Sequence, residues 1–147
     1  VYKRQADEWS GDPGVGAMYF SQQAVNRLAP AAGMSFPDEM PLPERLVLVQ
    51  ERADRGDEGA GNVFATIGGY LGYTIPWYSE FYDFDDLLIL GRVTSGRGGE
   101  ILLETAREIL KSEFPKVAER ISLHVPDEKS RRVGQAVAAA SLPELSA

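Results

Sequence analysis

Leu87-Leu-Ile-Leu-Gly-Arg-Val-Thr-Ser-Gly-Arg-Gly-Gly-Glu100 reads as an apolar strand, a glycine-rich turn and the start of an amphipathic helix near Ile101. That order places backbone N–H groups at a helix N-terminus, where they can receive a phosphate or the edge of a nucleotide. The same turn also occurs in α/β proteins that bind nothing there, so the surrounding sequence has to decide between the two.

Downstream of this stretch, residues 100 to 113 carry Leu102, Ala106, Ile109 and Leu110 on one helical face, and Pro115 ends the segment. Ile121, Leu123 and Val125 alternate, which predicts a second strand over 120–125 with His124 on the opposite face. Residues 130 to 141 predict a small-residue helix with Val133, Val137 and Ala140 facing in. Strand, helix, strand, helix in this order implies parallel strands joined by a right-handed crossover. Two strands make a thin sheet, so missing sequence or a partner chain is expected to complete it. Leu87 to Leu90 is expected to be buried on both faces.

Upstream, Val63, Ile67, Leu71 and Ile75 recur every four residues within 59–82 and predict a central buried helix. Gly61, Gly68, Gly69 and Gly72 each cost about 1 kcal/mol there relative to Ala, which makes sense if this helix approaches another backbone closely. Pro76 should kink or end it near Thr74. A helix over 44–56 with Leu46, Val49 and Ala53 inward stops at Gly56, and a proline-rich loop, 30–43, precedes it. Residues 15–29 predict a further helix, with Phe20, Ala24 and Leu28 on one face. The resulting organisation is a lead-in over 1–14, a single helix-rich α/β domain over 15–142 and a tail over 143–147.

Composition removes several function classes. The 147 residues are 44% hydrophobic and 25% charged, which suits one globular domain, and a net charge of −7 argues against binding nucleic acid. The absence of cysteine excludes disulfides, thiolate zinc sites and a cysteine nucleophile, and the single histidine, His124, cannot build a metal site alone. With no run of 18 apolar residues and no signal-peptide pattern, the expectation is a soluble, cytoplasmic protein without membrane partners. Because the chain begins Val-Tyr-Lys-Arg without methionine, the sequence is expected to start mid-protein.

Individual residues carry two readings each. Arg92 and Arg97 flank the glycine turn and suit bidentate contact with phosphate oxygens, or are solvated loop cations. Asp83, Asp85 and Asp86 read as a turn before the strand rather than as magnesium ligands. The aromatic run Tyr70, Tyr73, Trp77, Tyr78, Phe81, Tyr82 and Phe84 fits core or subunit interface better than a base-stacking site.

Three segments in order, Ile67-Gly-Gly-Tyr-Leu-Gly-Tyr73, Leu87 to Gly99 followed by Glu100-Ile-Leu-Leu-Glu104, and Arg132-Val-Gly-Gln-Ala-Val-Ala-Ala139, resemble the C-terminal part of the ROK family of sugar kinases and sugar-responsive repressors. The resemblance implies the C-terminal lobe of the ribonuclease-H-like, actin-like ATPase fold. It also implies that Gly91, Arg92, Val93, Thr94, Gly96 and Arg97 lie against ATP, taken with magnesium, and that Glu8, just ahead of Ser10-Gly11, contacts the sugar. The family has consecutive glycines after the strand where this chain has Gly91-Arg92. Its Asp-Gly-Gly-Thr phosphate loop, its Asn-Asp segment with the catalytic base and its cysteine-rich zinc motif are not in this sequence. The implied function is therefore the nucleotide-side lobe of a sugar kinase, inactive alone and homo-oligomeric. The alternatives are the effector-sensing, dimerising domain of a repressor, or a non-enzymatic self-association module.

Overall fold

The computed structural model describes residues 6–7 and 10–125. Among the described residues six helices and two strands follow in chain order: α1 (Ala17–Phe20), α2 (Gln22–Leu28), α3 (Leu42–Asp54), α4 (Glu58–Ser79), β1 (Asp86–Leu88), α5 (Gly96–Glu113), α6 (Pro115–Arg120) and β2 (Ser122–His124). Short 3-10 turns at Ala29–Ala32 and Arg92–Thr94 complete the set. This is a helix-rich α/β arrangement. The last helix expected over 130–141, the tail and the Arg132–Ala139 segment lie outside the described residues.

The α4–α5 pair holds the fold together. Phe64 lies over Gly98, Gly68 over Leu102 and Gly72 over Ala106 and Ile109, so contacts advance in step and the two helices run parallel. A Cβ on Gly68 would fall on the Leu102 carbonyl oxygen, and one on Gly98 would fall on the Phe64 ring. The glycines thus allow the backbone approach that their spacing implied, and Phe64, with no exposed surface, fills the space beside Gly98. Around this crossing Val25, Leu46, Val49, Ala53, Val63, Ile67 and Leu102 form the larger core. Burying each large apolar side chain contributes about 1.5–3 kcal/mol.

Helix boundaries are set by local caps. Ser21, extended at φ −115°, donates its hydroxyl to the Ala17 carbonyl and accepts the Gln23 N–H at 3.1 Å, which divides the single helix expected over 15–29 into α1 and α2. Gly56, at φ +82°, closes α3 as expected, and Asp57 then caps α4 by accepting the Ala60 N–H at 2.8 Å. Pro76 does not end α4 at Thr74. The helix continues to Ser79 because Ile75, fully buried with Leu110 and Ile121 in a second core, anchors that last turn and offsets the hydrogen bond that proline removes.

β1 and β2 pair in parallel, Leu87 opposite Leu123, with α5 between them in sequence. Leu87, Ile89, Leu123 and Val125 pack inward. The expectation that β1 is buried on both faces fails: Leu88 and Leu90 are 57% and 52% exposed, because the described residues lay helices against only one face of the pair. His124 lies on the open face, as its alternation predicts, with Nε2 2.7 Å from the Asp86 carboxylate. Asp83 pairs with Arg120 at 3.3 Å, and the Asp85 carbonyl accepts the Ser122 N–H, so the acidic cluster closes the turn into the sheet.

Candidate functional site

The chain leaves β1 through Gly91, whose φ of +130° is a conformation that side-chain-bearing residues rarely adopt. The next three residues coil into the 3-10 turn, where the Thr94 hydroxyl donates to the Gly91 carbonyl at 2.7 Å. Val93 and Thr94 are buried and fix the loop to the core. Gln50 of α3 fastens it from the other side, donating its side-chain amide to the Arg92 carbonyl at 2.8 Å. Arg92 itself projects to solvent, and its guanidinium makes no ion pair among the described residues.

This loop forms one wall of a cavity of about 470 Å³ at the C-terminal end of β1. Leu90, Gly91, Arg92 and Val93 share this cavity with Ala17, Phe20, Ser21, Gln22 and Gln23 of the α1–α2 break, with Asp7, and with Pro43 and Leu46 of α3. Asp7 is buried, and its carboxylate accepts the Gln23 amide at 2.8 Å and the Ser10 N–H at 2.8 Å. A second groove of about 390 Å³, lined by Met40, Pro43, Glu44, Val47 and Leu48, shares Arg92 and Pro43 with the first. Arg92 therefore stands between a larger cavity, to which Asp7, Ser21, Gln22 and Gln23 bring polar groups, and a mostly apolar groove. Both volumes fall in the ordinary range of small-molecule sites.

The helix N-terminus itself points elsewhere. α5 begins at Gly96, not near Ile101, so the glycine run forms its first turn rather than a free loop. Gly98 and Gly99 are there for packing, against Phe64 and the Thr94 backbone. The Asp54 carboxylate accepts the Arg97 backbone N–H at 2.9 Å, in the position expected for a phosphate. Helix dipole and exposed N–H groups attract an anion, and here the protein supplies its own.

Of the residues expected to face a nucleotide, Gly91, Arg92 and Val93 share the first cavity. Thr94 lies buried beneath the loop, while Gly96 and Arg97 lie beside Asp54. Arg97 also binds Glu100 at 2.9 Å and Glu104 at 3.5 Å, and the hydrogen bond to Glu100 leads in holding its guanidinium above its ordinary pKa. Its charge is balanced on its own helix. Glu8 lies outside the described residues. The described residues hold no group of three or more His, Asp or Glu side chains able to bind a metal ion, and no helix among them is long and apolar enough to cross a membrane.

Sequence reading missed the opposite walls of the site: Asp7, the Ser21 break and the α3 face of Met40, Val47 and Leu48. Ser21 carries a detectable signal, because serine inside an otherwise apolar helical pattern is a competent N-cap. No family model, curated protein or solved structure matches the chain.

Proposed function

We propose that this chain is the nucleotide-side lobe of a ROK-type sugar kinase, with ATP lying across Arg92. The observation that carries this reading is the pair of cavities meeting at Arg92 and Pro43, at the carboxyl end of a parallel strand. The apolar groove of Met40, Val47 and Leu48 suits a base and ribose. Arg92 supplies the phosphate contact, a role the Asp54-capped helix terminus does not play. Asp7, Ser21, Gln22 and Gln23 bring polar groups to the larger cavity beyond.

Phosphoryl transfer needs a base to orient the accepting hydroxyl and groups that neutralise the transferring phosphate, and the family's segments for both are not in this sequence. The 147-residue chain is therefore proposed to bind nucleotide without phosphorylating glucose or N-acetyl sugars. Arginine at position 92, where the family has glycine, favours a second reading, a repressor's effector domain that has no need of an ATP loop.

Backbone amide shifts recorded during a Mg-ATP titration test the placement. Gly91, Arg92, Val93, Val47 and Leu48 should move while Gly98 and Gly99 stay still. Movement confined to Gly96–Gly99 would place the phosphates at the helix terminus instead and reject the geometry proposed for Arg92.

A further inference from the structure

We propose that the C-terminal end of α4 docks on a second copy of this chain, each copy inserting Trp77 and Phe81 into a groove on the other. Trp77, Phe81 and Tyr82 are 63%, 65% and 67% exposed. With Tyr73 and Tyr78 they leave about 600 Å² of aromatic surface in water, taking ~200 Å² for each full side chain. That reaches the top of the range for the largest apolar patch on a monomer and approaches the ~800 Å² that each partner commits to a standard interface.

The shape of this surface selects the occupant. Trp77 and Phe81 stack edge to face at 5.2 Å between ring centres and form a single projecting knob. Beside it lies a groove of about 420 Å³ lined by Tyr78, Tyr82, Phe84, Asp86 and Leu87. Knob and groove alternate on one helix end, which is the arrangement a two-fold interface requires, since each copy must present both halves of the contact. The groove also supplies chemistry for the knob. A buried indole N–H needs an acceptor, and Asp86, which lines the groove and engages His124 through Oδ1 at 2.7 Å, has Oδ2 to offer it.

This inference does not depend on nucleotide binding, because the patch shares no residue with the cavities around Arg92. Light scattering on the 147-residue chain tests it. At about 100 μM, a concentration that populates even micromolar complexes, the mass should be twice that of the monomer. Trp77→Gln and, separately, Phe81→Gln should each give a monomer with unchanged far-UV circular dichroism. Trp77→Phe keeps a ring but loses the N–H, and should raise the dissociation constant about tenfold. Leu88→Gln, on the open sheet face, should leave the dimer intact. A native monomer at that concentration overturns the proposal, as does a dimer that survives both glutamine variants or dissolves in Leu88→Gln. If Trp77→Gln fails to fold, Phe81→Gln decides.

Discussion

The Asp54 carboxylate accepts the backbone N–H of Arg97 at 2.9 Å and lies 3.1 Å from where a Cβ of Gly96 would stand, so α3 caps α5 across more than forty residues of sequence. A carboxylate there satisfies an orphan donor and faces the positive end of the helix dipole. Asp54→Ala should therefore cost about 1 kcal/mol in urea unfolding, and Asp54→Asn less. A neutral result for Asp54→Ala would mean that water replaces the cap without loss.

Two adjacent glycines on α4 should respond oppositely to the same change. A Cβ on Gly68 meets the Leu102 backbone, so Gly68→Ala must push α4 and α5 apart and should cost about 3 kcal/mol. A Cβ on Gly69 meets only the Ile109 Cδ1 at 3.9 Å, an ordinary contact. Gly69→Ala should gain about 0.5–1 kcal/mol through helix propensity. Equal effects in denaturant titrations would show that the close crossing does not control stability.

Tyr73 offers a pH readout. Its hydroxyl donates to the Glu113 carboxylate, and this hydrogen bond, above burial and charge repulsion, holds the phenol above its ordinary pKa of 10.0. A raised folded-state pKa means that the contact stabilises the protein at neutral pH and is lost as pH rises through the phenol's titration. Glu113→Gln should shift one tyrosine of the ultraviolet phenolate titration to lower pH. An unchanged titration would show that the pair does not persist in solution.

These contacts also mark how far the sequence could be read. The four-residue recurrence from Val63 to Ile75, interrupted by Gly68 and Gly72, already implied a helix pressed against another backbone, and α5 proved to be that backbone. The alternation around His124 likewise placed it on the open face beside Asp86. Of the two outcomes Pro76 implies, a kink or an end near Thr74, the end does not occur, because the burial of Ile75 is a tertiary term that propensity does not contain. The open face of β1 is not legible in the sequence, because four apolar residues look alike whether one face or two are covered. For the site, Gly91 to Val93 were legible as a loop after a strand. Asp7, Ser21 and the α3 face reach the same cavity only through packing between distant segments. That α5 starts at Gly96 rather than near Ile101 was hidden for a related reason: glycines that open a loop and glycines that admit a phenylalanine ring carry the same signature.

Calorimetric titration with Mg-ATP, on the native chain and on Arg92→Ala, decides whether Arg92 holds a nucleotide. Saturable heat in the native chain, with affinity at least tenfold weaker in Arg92→Ala and unchanged in Gly69→Ala, is the predicted result. No heat in the native chain, or equal affinity in Arg92→Ala, would rule out a nucleotide contact at Arg92 and leave the loop at 91–94 a purely structural turn.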